Sequence, residues 1–327
     1  MFMTALCCVL PLVAGGQPCA DCHTEQHQAW ATSRHANSAA SPLYLAMREW
    51  ARSDGGEEVA ARCTVCHTVA LAGGGRSTAV DCGACHQARR GDGAGELLVD
   101  PVGAVQASRP AAEAPHAVSV TPDFARDAAC QPCHAELVNP AGVPLCTTGP
   151  EAAARHSGVA CTACHTPHAF PATAAEVAGR AATVSLQRRG EQLTVAVIAR
   201  GVGHALPTGA ALRQVRLVVE FLDARGKPLA DNRNDPKALF ARLLADEAGK
   251  VPAPPWRARA VARDSRLAAG ERRLLTYPIP AQARAVTAHL VYHRAPEALL
   301  ARLGLAAQPA LTPQILARAY LDLSAPD

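Results

Sequence analysis

Apolar and polar residues follow two different patterns along the chain. Up to about residue 172 large apolar side chains are few, and the clearest pattern is the helical one of residues 41–62, which is interrupted at Asp54-Gly55-Gly56. Residues 91–114 are rich in Gly, Ala and Pro and predict a surface loop. From about residue 173 apolar and polar residues alternate, which is typical of half-buried strands. The pattern therefore predicts two parts with different secondary structure.

The second part contains several short alternating segments separated by turn signals. The segments are residues 182–186, 193–199, 214–222, 273–279 and 285–292. Turns are indicated by Arg188-Arg189-Gly190-Glu191, by Asp223-Ala224-Arg225-Gly226 and by Ala268-Ala269-Gly270-Glu271. Strands of this length and spacing predict an antiparallel β-sandwich. Residues 296–303 and 312–323 are interpreted as helices that close the chain.

The N-terminal 16 residues have the pattern of a secretory signal peptide. A short apolar core is followed by the small residues Ala14, Gly15 and Gly16, so we expect cleavage between Ala14 and Gln17. A positively charged start is lacking, and the alternative is a buried N-terminal strand or helix. No later stretch reaches the roughly 18 apolar residues of a membrane span.

Five C-x-x-C-H pentapeptides lie in the first part of the chain. Their residues are Cys19, Cys22 and His23; Cys63, Cys66 and His67; Cys82, Cys85 and His86; Cys130, Cys133 and His134; and Cys161, Cys164 and His165. This motif is the attachment signature of c-type haem, in which both thiols add to the porphyrin vinyl groups and the His is the proximal iron ligand. Random placement of 13 Cys and 13 His in 327 residues would give roughly 0.02 such motifs. The sequence therefore predicts five covalently bound haem c groups.

Two other uses of paired cysteines are weighed against haem. A structural zinc site can use C-x-x-C pairs, but it does not require His directly after every second Cys. A thioredoxin-like dithiol has one such pair on a βαβ unit rather than five. Ten of the 13 Cys are assigned to haem, and Cys7 and Cys8 belong to the leader. Cys146 remains, as a buried bystander or as a thiol that pairs between molecules.

Haem also changes the interpretation of composition and charge. Aromatic residues make up only 4% of the chain, so the first part has few large side chains for a core. Five porphyrins would supply that apolar bulk, and we expect this part to be unfolded without them. The formal charge of +4 is offset by two propionates on each haem, so the mild basicity does not indicate a nucleic-acid partner.

The residues after the first motif resemble multihaem cytochromes of the c554 type. In that family C-x-x-C-H is followed by a helix with W-x-x-S-x-H, which Trp30, Ser33 and His35 match. The resemblance implies that His35 is a distal haem ligand. His27, four residues after His23, is interpreted as a packing residue.

The resemblance extends through residues 130–171. There the chain has the family's G-x-P-L segment at Gly142–Leu145, a Thr-Thr turn and a helix before the fifth motif. Relatives often have Trp beside Glu in this helix, where this chain has Ala152 after Glu151. His156 at the end of the helix and His168 in a His-x-Phe element match ligand positions of the family.

A G-H-x-x-P-T-G loop, Gly203–Gly209, lies in the second part of the chain. Such a loop is attached to cytochromes of this type, and the resemblance implies that its His204 reaches back to a haem. The alternative is a Pro-Thr-Gly turn with an incidental His. His289 and His293 on the predicted last strand are interpreted as structural.

Five histidines outside the motifs are candidate distal ligands. They are His35, His116, His156, His168 and His204. His116 is an isolated His before the fourth motif, and the alternative for it is a surface residue. After the leader the only Met is Met47, and the only Lys are Lys227, Lys237 and Lys250. Scarce competing ligands predict bis-His, low-potential haems.

These observations predict a mixed fold and an electron-transfer function. We expect a signal peptide at 1–16, a mostly α or irregular haem-packed domain at 17–172, and a β-sandwich domain with terminal helices at 173–327. A haem with two imidazoles has no position for substrate, which favours an electron carrier between extracytoplasmic redox partner proteins. Alternatives are a subunit of an extracellular cytochrome filament and a redox enzyme with one open haem. No C-x-x-C-K motif of the pentahaem nitrite reductases occurs.

Overall fold

The computed structural model describes residues 17–90, 97–121, 124, 129–155, 158–169 and 179–324. The predicted leader and His156 lie outside these residues. The chain forms two units, Met1–Cys133 with Val159–Ala172, and His134–Gly158 with Thr173–Asp327. Each unit is described by itself.

Helices and strands are numbered in chain order. The helices are α1 (Gln17–Ala20), α2 (Thr24–Ala31), α3 (Pro42–Gly55), α4 (Glu57–His67), α5 (Cys82–His86), α6 (Gln131–His134), α7 (Thr148–Arg155) and α8 (Glu297–Arg302). The strands are β1 (Ala70–Leu71), β2 (Ala88–Arg90), β3 (Leu97–Val99), β4 (Val105–Ala107), β5 (Val118–Val120), β6 (Leu137–Val138), β7 (Pro144–Cys146), β8 (Thr183–Arg189), β9 (Gln192–Ile198), β10 (Gln214–Leu222), β11 (Pro228–Asp231), β12 (Leu239–Ala245), β13 (Ala260–Asp264), β14 (Arg272–Pro278), β15 (Ala285–His293) and β16 (Gln314–Asp322). Short 3₁₀ turns cover Cys161–Ala163, Pro236–Ala238 and Pro309–Leu311.

The longest helices of the first unit are α3 and α4, which meet at Gly56. Gly56 has φ +84°, a left-handed conformation that glycine adopts without a steric penalty. One face of α3 buries Tyr44, Met47 and Ala51, at the i, i+3 and i+7 spacing of an amphipathic helix. The predicted helical pattern with its break at residues 54–56 is confirmed.

Small sheets supplement the helices of the first unit. Strand β3 pairs parallel with β1 and antiparallel with β2, and it buries Leu97 and Val99 against Val69 and Ala84. Strand β4 pairs parallel with β5. The prediction of one surface loop over residues 91–114 is therefore wrong for β3 and β4, which form strands. In β3 the apolar side chains Leu97 and Val99 are buried. Residues 91–96 lie outside the described residues.

The second unit is built on two sheets. One has the strand order β13-β12-β10-β15-β16, with β11 also paired to β10, and the other has the order β14-β9-β8. All of these pairs are antiparallel. Side chains of both sheets enter one apolar core that contains Val195, Leu217 and Phe240, each 0% exposed. The predicted antiparallel strands are confirmed, and Gly190, Gly226 and Gly270 at their turns have positive φ.

The end of the chain differs from the prediction. Residues 312–323 were expected to form a helix, but β16 runs antiparallel to β15, from the pair Tyr292–Gln314 to the pair Ala285–Asp322. Leu316 enters the core of the second unit. The hydrogen bonds to β15 outweigh the helix propensity of the Ala, Leu and Arg residues in this segment. The predicted helix at 296–303 is confirmed as α8.

Residues 134–158 pack with the second unit, although they carry parts of the haem-type sequence. Asn139, which is 6% exposed, donates to the carbonyls of Pro255 (3.0 Å) and Ala258 (2.9 Å). Its amide oxygen accepts from the backbone N–H groups of Ala141 and Val143. These bonds hold the β6–β7 hairpin against the segment before β13.

Candidate haem-attachment sites

Each C-x-x-C-H motif includes helical residues. In the first motif the backbone N–H of His23 donates to the carbonyl of Cys19 at 2.8 Å, and in the fifth His165 donates to Cys161 at 2.9 Å. The second motif ends α4, the third forms α5, and α6 carries the fourth. One turn places two thiols and an imidazole close together, and the described cysteines form no disulfide. The residues therefore fit covalent attachment of a porphyrin through two thioethers.

An N-terminal cap fixes the turn of the third motif. The Asp81 side chain accepts from the backbone N–H of Ala84 at 3.1 Å, which satisfies one of the N–H groups that a helix start leaves unpaired. Burial raises the pKa of Asp81. Cys82, Cys85 and His86 are thereby held on a short, capped turn.

Main-chain carbonyls select the tautomer of two motif histidines. His67 Nδ1 lies 2.7 Å from the carbonyl oxygen of Ser38, and His86 Nδ1 lies 2.9 Å from that of Gln106. A carbonyl only accepts, so Nδ1 donates the proton and Nε2 carries the lone pair that a metal requires. In both rings Nε2 is therefore the nitrogen that could bind a metal.

The second motif has further contacts that fix its imidazole. The hydroxyl of Ser38 donates to the carbonyl of His67 at 2.8 Å, so Ser38 holds this residue at two points. The Tyr44 ring stacks on the His67 ring with centroids 4.1 Å apart and an angle of 17°. Burial lowers the pKa of His67, which favours the neutral ring. Sequence reasoning missed Ser38, Tyr44 and Gln106, because backbone acceptors and distant stacking partners leave no motif.

Two pairs of imidazoles lie at the separation expected across an iron atom. The ring centroids of His86 and His168 are 6.2 Å apart with nearly parallel planes, and those of His23 and His116 are 6.4 Å apart. A metal–imidazole bond of about 2 Å on each side, plus the inner half of each ring, separates two ring centres by about 6 Å. Both pairs join a motif histidine to a predicted distal ligand.

Thiols of different motifs are neighbours in the first unit. The Cys82 thiol donates a hydrogen bond to Cys19, which lowers the pKa of Cys19 to about 7. The Cys133 thiol likewise donates a hydrogen bond to Cys66, which lowers the pKa of Cys66 to about 7. Burial and then the nearby Cys130 raise the pKa of Cys85 to about 12. The first motif therefore adjoins the third, and the fourth adjoins the second and third.

The other predicted distal ligands are in varied surroundings. His35 follows α2, where Trp30 Nε1 donates to the carbonyl of Val80 at 2.9 Å and the backbone N–H of Val80 donates to the carbonyl of His35 at 3.3 Å. These bonds anchor the W-x-x-S-x-H element beside the third motif. Burial lowers the pKa of His35. In the second unit His204 Nδ1 donates to the carbonyl of Ala205 at 3.0 Å.

The structure also shows the surroundings of residues that are not among the predicted attachment residues and ligands. His27 packs at an angle on Trp30, and His289 and His293 lie on β15. Met47 is buried on the packed face of α3. Cys146 is buried, with its sulfur 3.4 Å from the Thr148 hydroxyl oxygen. Within the described residues, every helix is too short or too polar to span a bilayer.

Comparison with known proteins identifies relatives of both sequence and structure. Residues 18–87, which contain the first three motifs, match the family described as cytochrome c554 and c-prime. No curated protein matches the chain in sequence. The structure is similar to the penta-haem cytochrome c552 from Thermochromatium tepidum, with 25% identity, a TM-score of 0.79, and coverage of 94% of this chain and 98% of that chain. The resemblance to pentahaem proteins of the c554 type is thereby confirmed.

Proposed function

We propose that this multihaem cytochrome c of the c554 type binds five haem c groups and carries electrons between exported redox proteins. The two imidazole pairs at 6.2 and 6.4 Å are the observation that carries the proposal. Haem iron held between such pairs would supply one-electron redox chemistry without a coordination position for substrate. The residues that would hold the groups are the ten motif thiols, the five motif histidines and the five distal candidates.

The ring geometry supports specific ligand pairs. His23 and His116 are proposed to bind one iron, and His86 and His168 a second. His35, His156 and His204 then remain for the irons of the second, fourth and fifth motifs. The main-chain acceptors of His67, His86 and His204 support binding through Nε2 in each case.

Contacts between motif thiols support a relay rather than isolated redox centres. The hydrogen bonds Cys82–Cys19 and Cys133–Cys66 join attachment points of different motifs. Porphyrins attached through neighbouring sulfurs would lie close together, as short-range electron transfer requires.

The proposed partners are other cytochromes or an oxidoreductase in the periplasm or outside the cell. C-type haem is attached outside the cytoplasm, so the protein is proposed to be exported and its residues 1–16 to be the signal peptide. Self-association into filaments and catalysis at an open haem are the alternatives. A fully bis-His set of ligands favours the carrier.

The ligand pairs are tested by replacing the distal histidines in the holoprotein. We expect a mass corresponding to five haems and only low-spin iron in the electron paramagnetic resonance spectrum of the oxidised protein. His116→Ala and His168→Ala should each convert one haem to high spin, and the double variant should convert two. His289→Ala, on β15, is the matched control and should leave all irons low spin.

Three results would contradict this proposal. A smaller integral number of haems would remove a motif from the set. A high-spin iron in the unmodified protein would favour catalysis at an open haem over electron transfer alone. Unchanged spectra of His116→Ala and His168→Ala would refute the two ligand pairs.

A further inference from the structure

The loop that carries His204 is bound at several points by one carboxylate. Glu151, in the first turn of α7, accepts a hydrogen bond through Oε2 from the backbone N–H of Ala205 at 3.2 Å and from the hydroxyl of Thr208 at 2.7 Å. The hydroxyl of Thr208 also lies 3.0 Å from that of Thr148. One side chain of α7 therefore holds both sides of the Leu206-Pro207 segment.

The other oxygen of Glu151 is fixed by positive charge. Arg266 lies 2.7 Å from Oε1, Arg242 lies 3.7 Å away, and the hydroxyl of Thr147 donates to the same oxygen. The side chains of Arg242 and Arg266 are only 9% and 10% exposed. A carboxylate that is paired with little-exposed guanidinium groups has little freedom to rotate, so it can act as a rigid support.

Glu151 is connected to the His204 ring through a single residue. Glu151 binds the N–H of Ala205, while the carbonyl of Ala205 accepts from His204 Nδ1 at 3.0 Å. The carbonyl of Ala205 thus helps to orient the ring and favours the tautomer in which Nε2 bears the lone pair. Groups that orient a metal-binding imidazole in this way commonly change its hold on the metal by about 10- to 100-fold when removed.

We propose that Glu151 is a positioning residue for His204 as a haem ligand, an inference that rests on the proposed function of His204. It acts through the Ala205 peptide group rather than by touching the haem. Sequence comparison draws attention to this helix only because Ala152 replaces a common Trp, and it gives no sign that Glu151 reaches the His204 loop.

Asp264 offers a matched control in the same cluster. It pairs with the same two arginines, 3.0 Å from Arg242 and 2.9 Å from Arg266. None of its hydrogen bonds goes to residues 203–209 among the contacts of the described residues. Asp264→Asn therefore removes the same charge from the arginine pair as Glu151→Gln but leaves the bonds to Ala205 and Thr208.

The experiment compares His204→Ala, Glu151→Gln and Asp264→Asn as purified holoproteins. Low-spin iron is counted by electron paramagnetic resonance, and carbon monoxide uptake is measured after reduction. We expect His204→Ala to lose one low-spin haem and to bind one carbon monoxide. Glu151→Gln should lose part of the low-spin signal that His204→Ala loses, and its g values identify that signal. Asp264→Asn should resemble the unmodified protein.

Each other outcome has a defined meaning. If His204→Ala changes the spectrum and Glu151→Gln does not, the positioning role of Glu151 is refuted while His204 remains a ligand. If Asp264→Asn changes the spectrum as much as Glu151→Gln, loss of charge explains the effect and the positioning role is again refuted. If His204→Ala itself changes nothing, both the ligand assignment and the inference fail.

Glu151→Asp covers the case in which Glu151→Gln does not fold. Aspartate keeps the negative charge near Arg266 and Arg242. Its side chain is one methylene shorter, so its carboxylate reaches less far toward Ala205 and Thr208. The expected result is a folded protein with five haems and a smaller high-spin fraction at the haem of His204. An entirely low-spin spectrum of this variant would also refute the positioning role.

Discussion

Single hydrogen bonds determine which nitrogen of a ligand-type histidine carries the proton. In His67, His86 and His204 the acceptor is a main-chain carbonyl, at distances from 2.7 to 3.0 Å. His116 has the same type of contact at 3.4 Å, which is a weaker bond. Because the carbonyl cannot donate, each of these contacts favours the tautomer that binds metal through Nε2.

The Glu151 cluster predicts a loss of stability in acid. Burial raises the pKa of Glu151, but hydrogen bonds from Thr147 and Thr208 and the charge of Arg266 outweigh burial, so its pKa lies below the ordinary 4.5. A carboxyl with a depressed folded pKa stabilises the fold above its unfolded pKa, and this stabilisation is lost as pH falls through the folded value. We therefore expect the melting temperature of the second unit to decrease once the pH is lowered past about 4.5.

Thermal melting of Glu151→Gln between about pH 3 and pH 7 measures this effect. The variant should melt lower than the unmodified protein at neutral pH, and the difference should shrink in acid. Glu247→Gln, at an exposed glutamate, is the control and should follow the unmodified protein. A difference between Glu151→Gln and the unmodified protein that does not vary with pH would count against the role of this carboxylate.

The candidate attachment residues are visible in the sequence, whereas most of the contacts that support them are not. The five motifs are residue types at fixed spacing, and His35, His168 and His204 lie in elements that resemble those of the family, while His116 is an isolated His. Ser38 is 29 residues before His67 and acts partly through its backbone, and Gln106 is 20 residues after His86. Such partners become apparent only when the chain path is known.

Elements of the second unit illustrate how pairing decides between helix and strand. The alternating residues 214–222 predicted β10 correctly, because its buried and half-buried positions alternate. Strand β12 was not predicted, and it is largely buried on both faces, which removes the alternation. Strand β16 is rich in the helix formers Ala, Leu and Arg and was predicted as a helix, but its hydrogen bonds to β15 determine its conformation.

The β6–β7 hairpin predicts a large effect of one amide side chain. Asn139→Ala removes the two donors to Pro255 and Ala258 and the acceptor for Ala141 and Val143, and it leaves buried backbone groups without partners. Each such loss costs about 1–3 kcal/mol, so we expect the free energy of unfolding of the second unit to fall by at least about 2 kcal/mol.

Urea denaturation of the holoprotein, followed by a signal from the second unit, measures this change. Asn234→Ala is the same substitution at an exposed position and should alter the free energy by less than about 0.5 kcal/mol. Equal effects of the two substitutions would show that the Asn139 bonds contribute little.

The two units differ in how much apolar core the polypeptide itself supplies. The main core of the second unit joins residues of both sheets, including Leu193, Leu217, Phe240 and Leu290. Among the described residues of the first unit, the corresponding cluster contains only Val69, Ala84, Leu97 and Val99. A core of this size does not offset the conformational entropy of so long a chain.

Protein produced without haem attachment should therefore lose structure in the first unit and keep it in the second. Limited proteolysis with identification of fragments by mass spectrometry tests this. We expect rapid cleavage within residues 19–133 and a resistant fragment that contains residues 183–322. The holoprotein is the control and should resist cleavage in both regions. A haem-free protein that is resistant throughout would show that the first unit folds by its own side chains.

The use of main-chain carbonyls as imidazole partners has an evolutionary consequence. Every amino acid has such a carbonyl, so a replacement at residue 106 or 205 retains the acceptor as long as the backbone keeps its course. The electron-donating strength of the proposed ligands is then inherited with the path of the chain rather than with side-chain identity. Distant homologues that share this path are expected to keep similar midpoint potentials at the haems proposed for His86 and His204, even where few of the surrounding residues agree.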